Sequence, residues 1–248
     1  MHIKKIAVTE ENRIYPVEDV NISMSLNEGA IDREQLITLG DKAEIRETTT
    51  GHKMLICNAT FKDNYNRMKR GPAIIIPKDV GFIIAEIGLT RDHVVIDAGA
   101  GTGGMTCQLA ALCKKVYSYD VEPKHLKLVK ENCEKLGLDN VELEVGDIYT
   151  LDPPKEVDAV ILDVPEPVKA IGTAKKALKQ GGYVVFYTPH INQAQEVYTA
   201  LGEDFKYITT IEIIQRRWEI DEKRLRPKHA MLGHTAFLTI ARKFKRNI

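Results

Sequence analysis

The stretch His93-Val94-Val95-Ile96-Asp97-Ala98-Gly99-Ala100-Gly101-Thr102-Gly103-Gly104 decides the fold of this chain. It starts as a short β-branched run, which predicts a strand, and its end opens a predicted helix. The glycines between them permit a tight turn and let a ligand approach the backbone closely. A glycine-rich loop between a strand and a helix is typical of nucleotide-binding α/β folds.

The same alternation of strand and helix continues through the rest of the chain. Further strands are predicted at 115–119, 141–145, 157–162 and 182–187, and helices at 103–112, 122–136, 167–178 and 191–201. This order predicts a doubly wound parallel sheet with helices on both faces. Residues 64–248 are therefore expected to form a Rossmann-like domain, with a lead-in helix at about 77–89.

The N-terminal quarter has a different pattern. Short apolar alternations such as Met54-Leu55-Ile56-Cys57 stand among turn-prone stretches, which indicates strands and tight turns. We therefore predict a small β-rich domain at residues 1–63.

Composition restricts the class of protein. The 248 residues carry 35 Lys and Arg against 35 Asp and Glu, so a nucleic acid would have to be bound by local basic patches or by a groove of an oligomer. No apolar run approaches the roughly 20 residues of a membrane span, and the start of the chain lacks the apolar stretch of a signal peptide. A cytoplasmic protein is expected. The four cysteines form no CxxC pair, so no metal site is predicted.

Asp97 decides which cofactor the loop binds. Gly99, Gly101 and Gly104 also satisfy the dinucleotide pattern GxGxxG, so a pyrophosphate ligand is an alternative. A carboxylate at the end of the strand would repel a pyrophosphate, whereas it suits a cofactor with a cationic amino-acid end. The loop therefore favours S-adenosylmethionine.

Two further acids follow the next two strands. Asp120 lies 19 positions beyond Gly101, where an acid can accept both hydroxyls of an adenosine ribose; an acid at a helix N-terminus is the alternative. Asp147 and Ile148 are placed to reach the adenine edge, although a solvated turn aspartate would show the same pattern. Acids at three successive strand ends strengthen the assignment of S-adenosylmethionine.

Several motifs resemble those of one enzyme family. They are Met68-Lys69-Arg70-Gly71-Pro72, Pro77-Lys78-Asp79, Asp163-Val164-Pro165-Glu166-Pro167, Tyr187-Thr188-Pro189 with Gln193, and Arg226-Pro227 before Met231-Leu232-Gly233-His234-Thr235-Ala236-Phe237-Leu238. Together they are similar to the tRNA (adenine-N1)-methyltransferases that act on the T loop. The last motif is the most specific, because other methyltransferases share the glycine loop without it.

The resemblance implies a set of site residues. Gly101, Thr102, Gly103, Gly104 and Met105 would line the methionine part of the cofactor, with Asp120 at the ribose, His125 at the outer edge and Asp147 at the adenine. Asp163 would be catalytic. The family also implies a homotetramer that modifies tRNA position 58, and in archaeal members position 57 as well.

Two positions depart from the family pattern. Val168 stands where tryptophan is usual, and Ile76 precedes Pro77 where many members have tyrosine. Stacking on the target base must then come from elsewhere, with Tyr187 or Trp218 as candidates. Tyr187 is accordingly included with Asp163 in the predicted catalytic set.

Chemistry supports a role for Asp163. Attack of adenine N1 on a sulfonium methyl places positive charge on the base, and a carboxylate at the exocyclic amine would favour that charge and then take a proton. Asp163 follows a strand and precedes two prolines, which make the turn rigid.

Basic side chains are candidates for holding tRNA phosphates. The predicted contacts are Arg216, Arg217 and Arg226, with His234 in the tail motif, although each could equally be a solvated or structural residue. Further basic groups, less firmly assigned, are Arg67, Lys69, Arg70, Lys223, Arg224 and Lys228.

Three other functions remain open at this point. A corrinoid-pathway methyltransferase has a similar glycine loop, and a protein isoaspartate methyltransferase is a weaker relative. A non-catalytic tRNA-binding subunit belongs to another class, and the intact Asp97, glycines and Asp163 argue against it.

Overall fold

The structure, a computed structural model, describes residues 2–71 and 74–244. Pro72, the end of the motif at 68–72, lies outside the described residues. The chain forms two compact units, one of residues 1–68 with 134–137 and one of residues 69–133 with 138–248.

The first unit is built on a small antiparallel sheet. Its elements are β1 Lys5–Thr9, β2 Ile14–Val17, β3 Met24–Leu26, β4 Gly29–Ile31, α1 Arg33–Ile37, β5 Glu44–Glu47, β6 Lys53–Asn58 and α2 Phe61–Tyr65. The order of the main sheet is β2-β1-β6-β5, and β3 and β4 form a separate hairpin. Alternate side chains such as Met54 and Ile56 of β6 face a core with Ala7, Val17 and Leu36.

The second unit carries the glycine loop. Its elements are α3 Pro77–Glu86, β7 Val94–Ala98, α4 Gly104–Leu112, β8 Lys115–Asp120, α5 Pro123–Leu136, β9 Val141–Val145, β10 Val157–Leu162, α6 Ile171–Ala177, β11 Leu178–Thr188, α7 Ile191–Ala200, β12 Phe205–Glu212, β13 Trp218–Ile220, β14 Leu225–Pro227 and β15 Phe237–Lys243. Short 3-10 turns at Pro167–Ala170 and Gly202–Asp204 complete it.

Seven strands form its central sheet in the order β12-β15-β11-β10-β7-β8-β9. The strands from β11 to β9 are parallel. Val160 and Leu162 of β10 face one core with α6 and α7, and Ala159 and Ile161 face the other with α3 and α4. Both faces are covered, so the predicted doubly wound α/β fold is confirmed.

Two details differ from the sequence prediction. The lead-in helix ends at Glu86 rather than near residue 89, because Ile87 caps it and Gly88 follows in the left-handed region at φ +63°. The sheet also gains two strands, β12 and β15, which run antiparallel at the edge beside β11. The tail motif therefore leads directly into a sheet strand.

The strand order places a cleft beside β7. After β7 the chain continues to β8 and β9 on one side, and then returns to β10 and β11 on the other. Ligands of open α/β sheets bind at the carboxyl ends of the strands where the order reverses. Asp97 is the next-to-last residue of β7, Asp120 is the last residue of β8, and Asp163 follows β10.

Candidate active site

A cavity of about 550 Å³ opens at the carboxyl ends of β7, β8 and β10. This volume lies in the range of roughly 300–1,000 Å³ that small-molecule sites occupy. Ten of the predicted site residues line it, namely Gly99, Gly101, Thr102, Gly104, Met105, Asp120, His125, Asp147, Ile148 and Asp163.

The glycine loop passes very close to the turn after β10. Gly99 has φ +84°, and a Cβ atom there would lie 1.9 Å from the Asp163 carbonyl oxygen. Gly103 caps α4 in the left-handed region and does not line the cavity. Gly99 thus brings the loop against Asp163, and Gly103 starts the helix behind it.

Asp97 lies beneath the loop rather than in the cavity wall. Its side chain is buried and accepts a hydrogen bond of 2.5 Å from the Thr106 hydroxyl, which also contacts Ser118 Oγ at 2.9 Å. Burial raises the pKa of Asp97 to about 6, and the charge of Asp120 adds to the increase. Asp97, predicted to bind the cofactor, thus contacts Thr106 of α4 and does not line the cavity.

Asp120 faces the cavity and organises its surroundings. Its carboxylate accepts hydrogen bonds of 2.9 Å from the backbone N–H groups of Gly101 and Glu122. His125 Nδ1 lies 3.2 Å from both carboxylate oxygens. The side chain links the loop after β7 to the end of β8.

Asp147 accepts a hydrogen bond of 2.9 Å from the Tyr149 N–H group, which closes the turn after β9. Ile148 is buried and, with Tyr149, completes this side of the cavity. The adenine side predicted from the sequence is thus a turn with both a carboxylate and an apolar surface.

Asp163 is the most perturbed acid of the cavity wall. Burial raises the pKa of its carboxyl to about 7, and the nearby charge of Asp97 contributes. Within residues 2–71 and 74–244, this carboxylate forms no hydrogen bond and no ion pair. A carboxyl with a pKa near neutrality and no hydrogen-bond partner in the described part of the chain is suited to exchange a proton with a ligand.

Three contacts hold the turn that carries Asp163. Its N–H group donates to the Ala98 carbonyl at 2.9 Å, the Glu166 N–H group donates to Tyr149 Oη at 2.9 Å, and Gln193 Nε2 donates to the Pro165 carbonyl at 3.0 Å. The turn is fixed from β7, from the turn after β9 and from α7.

Tyr187 does not line the cavity. Its hydroxyl donates to Asp79 Oδ2 at 3.3 Å, and Asp79 forms a buried ion pair of 2.6 Å with Lys78. Lys78 also donates to Thr235 Oγ1 at 2.7 Å. Burial raises the pKa of the Tyr187 phenol, so it stays neutral. The network connects the start of α3 with the tail motif.

The three arginines predicted to contact tRNA do not line the cavity; they lie in and beside the β13–β14 hairpin. Arg216 and Arg217 are exposed, and Arg226 pairs with Glu219 at 3.0 Å. Trp218, a candidate for stacking, is 51% exposed on the same hairpin. The cavity's own aromatic side chains are Tyr119 and Tyr149.

His234 joins two segments of the second unit. Its Nδ1 lies 2.6 Å from Glu212 Oε1, and its Nε2 lies 2.9 Å from the Pro189 carbonyl. Both partners only accept, so both ring nitrogens must donate and the ring is an imidazolium. These contacts raise its pKa, with the Glu212 hydrogen bond as the largest cause.

Sequence reasoning missed several residues of the site. Ile74 and Ile75 line the cavity just before the noted Ile76, and Pro189, named above only as part of a motif, lines it as well. Buried Asn132 donates to the Thr102 and Lys69 carbonyls at 3.0 Å. The helical stripe of α5 predicted an apolar face, and an asparagine within it was the available signal.

The described residues were also searched for other kinds of site. No group of three His, Cys, Asp or Glu side chains in residues 2–71 and 74–244 is arranged to hold a metal ion. None of the helices in those ranges combines the length and apolar character needed to cross a membrane.

Comparisons with known proteins show the family to which this chain is similar over most of its length. Residues 67–228 match the family model described as the tRNA methyltransferase complex GCD14 subunit. The chain is 32% identical to the "tRNA (adenine(57)-N(1)/adenine(58)-N(1))-methyltransferase TrmI" of Methanocaldococcus jannaschii, over 98% of this chain and 95% of that protein. It is 31% identical to the "tRNA (adenine(58)-N(1))-methyltransferase TrmI" of Thermus thermophilus, over 88% of each chain.

A solved structure supports the fold. It is described as a SAM-dependent O-methyltransferase from Thermotoga maritima, with a TM-score of 0.85 and 32% identity, covering 99% of this chain and 94% of that one. The similarity therefore extends over both units of the chain.

Proposed function

This chain belongs to the family of the tRNA methyltransferase complex GCD14 subunit, and from that membership we infer that it methylates N1 of an adenosine in the T loop of tRNA. It is a methyltransferase that uses S-adenosylmethionine. The observation that carries the proposal within the site is Asp163, which lies in the wall of a cavity of about 550 Å³, has a pKa of about 7 and makes no side-chain hydrogen bond to any residue that the structure describes.

The residues of the cavity fit S-adenosylmethionine. Thr102 Oγ1 lies in the cavity wall and is buried without a hydrogen-bond partner among the described residues, so a polar group of the cofactor could bind it. Asp120 and Asp163 offer negative charge to a cationic ligand without phosphates. When bound, the cofactor supplies an electrophilic methyl group. Asp120 would accept the ribose hydroxyls, and the turn at Asp147 and Ile148 would face the adenine.

Asp163 would act on the target base. Adenine N1 lies on the Watson–Crick edge, so the base must leave its stack before it can enter a cavity. The Asp163 carboxylate would then accept a hydrogen bond from the exocyclic amine, favour the positive charge that develops on the ring, and take a proton from it. A pKa near neutrality suits both roles, because the group is partly ionised and can hold the proton afterwards.

The tRNA backbone would be held outside the cavity. Arg216 and Arg217 are exposed and Arg226 is half-shielded by Glu219, so this hairpin offers positive charge to phosphates. His234 would support substrate binding through its neighbours and not by direct contact, because its two ring nitrogens bind Glu212 and the Pro189 carbonyl. We expect the network from Lys78 to Tyr187 to support the wall of the base site.

The proposal also names the tRNA positions that are modified. Position 58 is the expected target, with position 57 as a second target because the relative from Methanocaldococcus jannaschii is named for both.

A homotetramer in the cytoplasm is proposed from the family resemblance. Light scattering at micromolar concentration should give four times the chain mass, and a monomeric mass would contradict the tetramer.

The decisive experiment uses the purified single chain with S-adenosylmethionine and an unmodified tRNA transcript. Digestion and mass spectrometry should find 1-methyladenosine at position 58 or at 57 and 58. A second transcript with uridine at both positions is the control and should accept no methyl group. Absence of methylation, or a methyl group on an oxygen atom, would overturn the proposed function.

A further inference from the structure

Gln193 is a cavity residue to which the proposed mechanism gives no role. It lies in the first turn of α7, and its side chain lines the cavity together with Asp163 and Pro165. Its amide orientation is fixed, because only the NH₂ group can donate to the Pro165 carbonyl, 3.0 Å away. The other end of the amide, Oε1, must therefore point elsewhere.

The Oε1 atom of Gln193 is buried and has no hydrogen-bond partner among the described residues. Leaving a buried acceptor unpaired costs about 1–3 kcal/mol, so such atoms are rare and indicate a missing partner. The missing partner must be a donor, because a carbonyl oxygen can only accept. Of the polar atoms of a flipped adenine, only the exocyclic amine donates.

We propose that Gln193 Oε1 accepts a hydrogen bond from the exocyclic amine of the target adenine. The amine carries two hydrogens, so one can bind Asp163 and the other Gln193. The two residues lie on the same wall, because the Gln193 amide holds the carbonyl two residues after Asp163. Gln193 is thus a residue that determines specificity, since a base with an oxygen at this position would place two acceptors together. The inference rests on the proposed function.

The test removes the hydrogen bond from both sides. Single-turnover methylation is measured on tRNA assembled by ligation with either adenosine or purine riboside, which lacks the amine, at position 58 (position 57 being uridine). The wild-type protein should prefer adenosine strongly. In Gln193→Met, the ratio of the two rates should fall by about 3- to 10-fold, the loss expected for one buried hydrogen bond.

The matched control is Gln195→Met, a change at an exposed glutamine of the same helix, which should leave the ratio unchanged. An unchanged ratio in Gln193→Met overturns the inference. A displaced Asp163 turn would also lower the ratio, because Asp163 binds the same amine, so the second variant, Gln193→Glu, keeps the acceptor and loses only the donor to Pro165. It should be slower with both substrates at a ratio no lower than that of the wild type, and a lower ratio counts against the proposal.

The outcome also separates this inference from the proposed function. A wild-type protein that methylates neither tRNA refutes the function itself. A wild-type protein that methylates adenosine, together with an unchanged ratio in Gln193→Met, refutes only the contact to Gln193.

Discussion

Replacing Asp163 with asparagine should make the protein more stable and almost inactive. Burial raises the pKa of this carboxyl from 3.8 to about 7, so the folded protein binds its proton more tightly than the unfolded chain. Between these two values each pH unit costs about 1.4 kcal/mol of stability. Above pH 7 the ionised carboxylate lowers the free energy of unfolding by its full amount, at most about 4 kcal/mol. At pH 5 the loss is less than half as large.

Asparagine cannot ionise, so the variant escapes this penalty. It buries an amide instead, which costs about 1–3 kcal/mol if the amide stays unpaired. The net gain at pH 8 should be about 1–3 kcal/mol, and it should shrink or reverse at pH 5. For a chain of this size that corresponds to a rise in Tm of roughly 2–10 °C at pH 8.

Thermal denaturation without cofactor, at pH 5 and pH 8, measures this effect. Asp139→Asn, a change at an exposed aspartate, should leave Tm unchanged at both pH values. Single-turnover methylation by Asp163→Asn should fall by about 100-fold or more, because the positioned base and its charge are lost. A Tm difference that is equal at both pH values would refute the reasoning about the buried charge. A near-normal rate in the folded variant would refute the catalytic role.

Three further changes test the site. Asp120→Ala should weaken S-adenosylmethionine binding by about 10- to 100-fold in calorimetry, because the charge-assisted bonds to the ribose and to the Gly101 N–H group disappear; unchanged affinity would remove Asp120 from the site. Gly99→Ala should abolish cofactor binding, since its Cβ would lie 1.9 Å from a carbonyl oxygen, whereas Gly88→Ala, at φ +63° with open space around it, should cost only about 1–2 kcal/mol of stability. Because the pKa of His234 is raised on folding, its contribution to the stability of the folded protein is complete below about pH 6.5. That contribution is lost as the pH rises through the pKa that His234 has in the folded protein. His234→Gln should therefore lower Tm at pH 6 and have less effect at pH 9, and an equal loss at both would show that the imidazolium is unimportant.

The local features of the cofactor loop were predictable from the sequence. A β-branched strand, an aspartate and a glycine-rich turn have few ways to fold, because the backbone of the glycines and the period of the apolar residues limit them. The acids at strand ends were predictable for the same reason, since parallel strands bring their carboxyl ends to one edge of the sheet. The antiparallel strands β12 and β15 were missed because a strand direction depends on pairing with distant residues.

The sequence by itself determined the fold class, the position of the loop and the family motifs, because these depend on local chemistry. Only the tertiary structure decided which predicted residues meet. It placed Asp97 below the cavity, occupied both nitrogens of His234 with protein groups and turned the Tyr187 hydroxyl toward Asp79. It also brought Gln193 into contact with Pro165 of the Asp163 turn, although the two residues are 28 positions apart in the sequence. Burial and partners are properties of packing between distant segments, and they set the pKa of Asp163 that no pattern in the sequence contains.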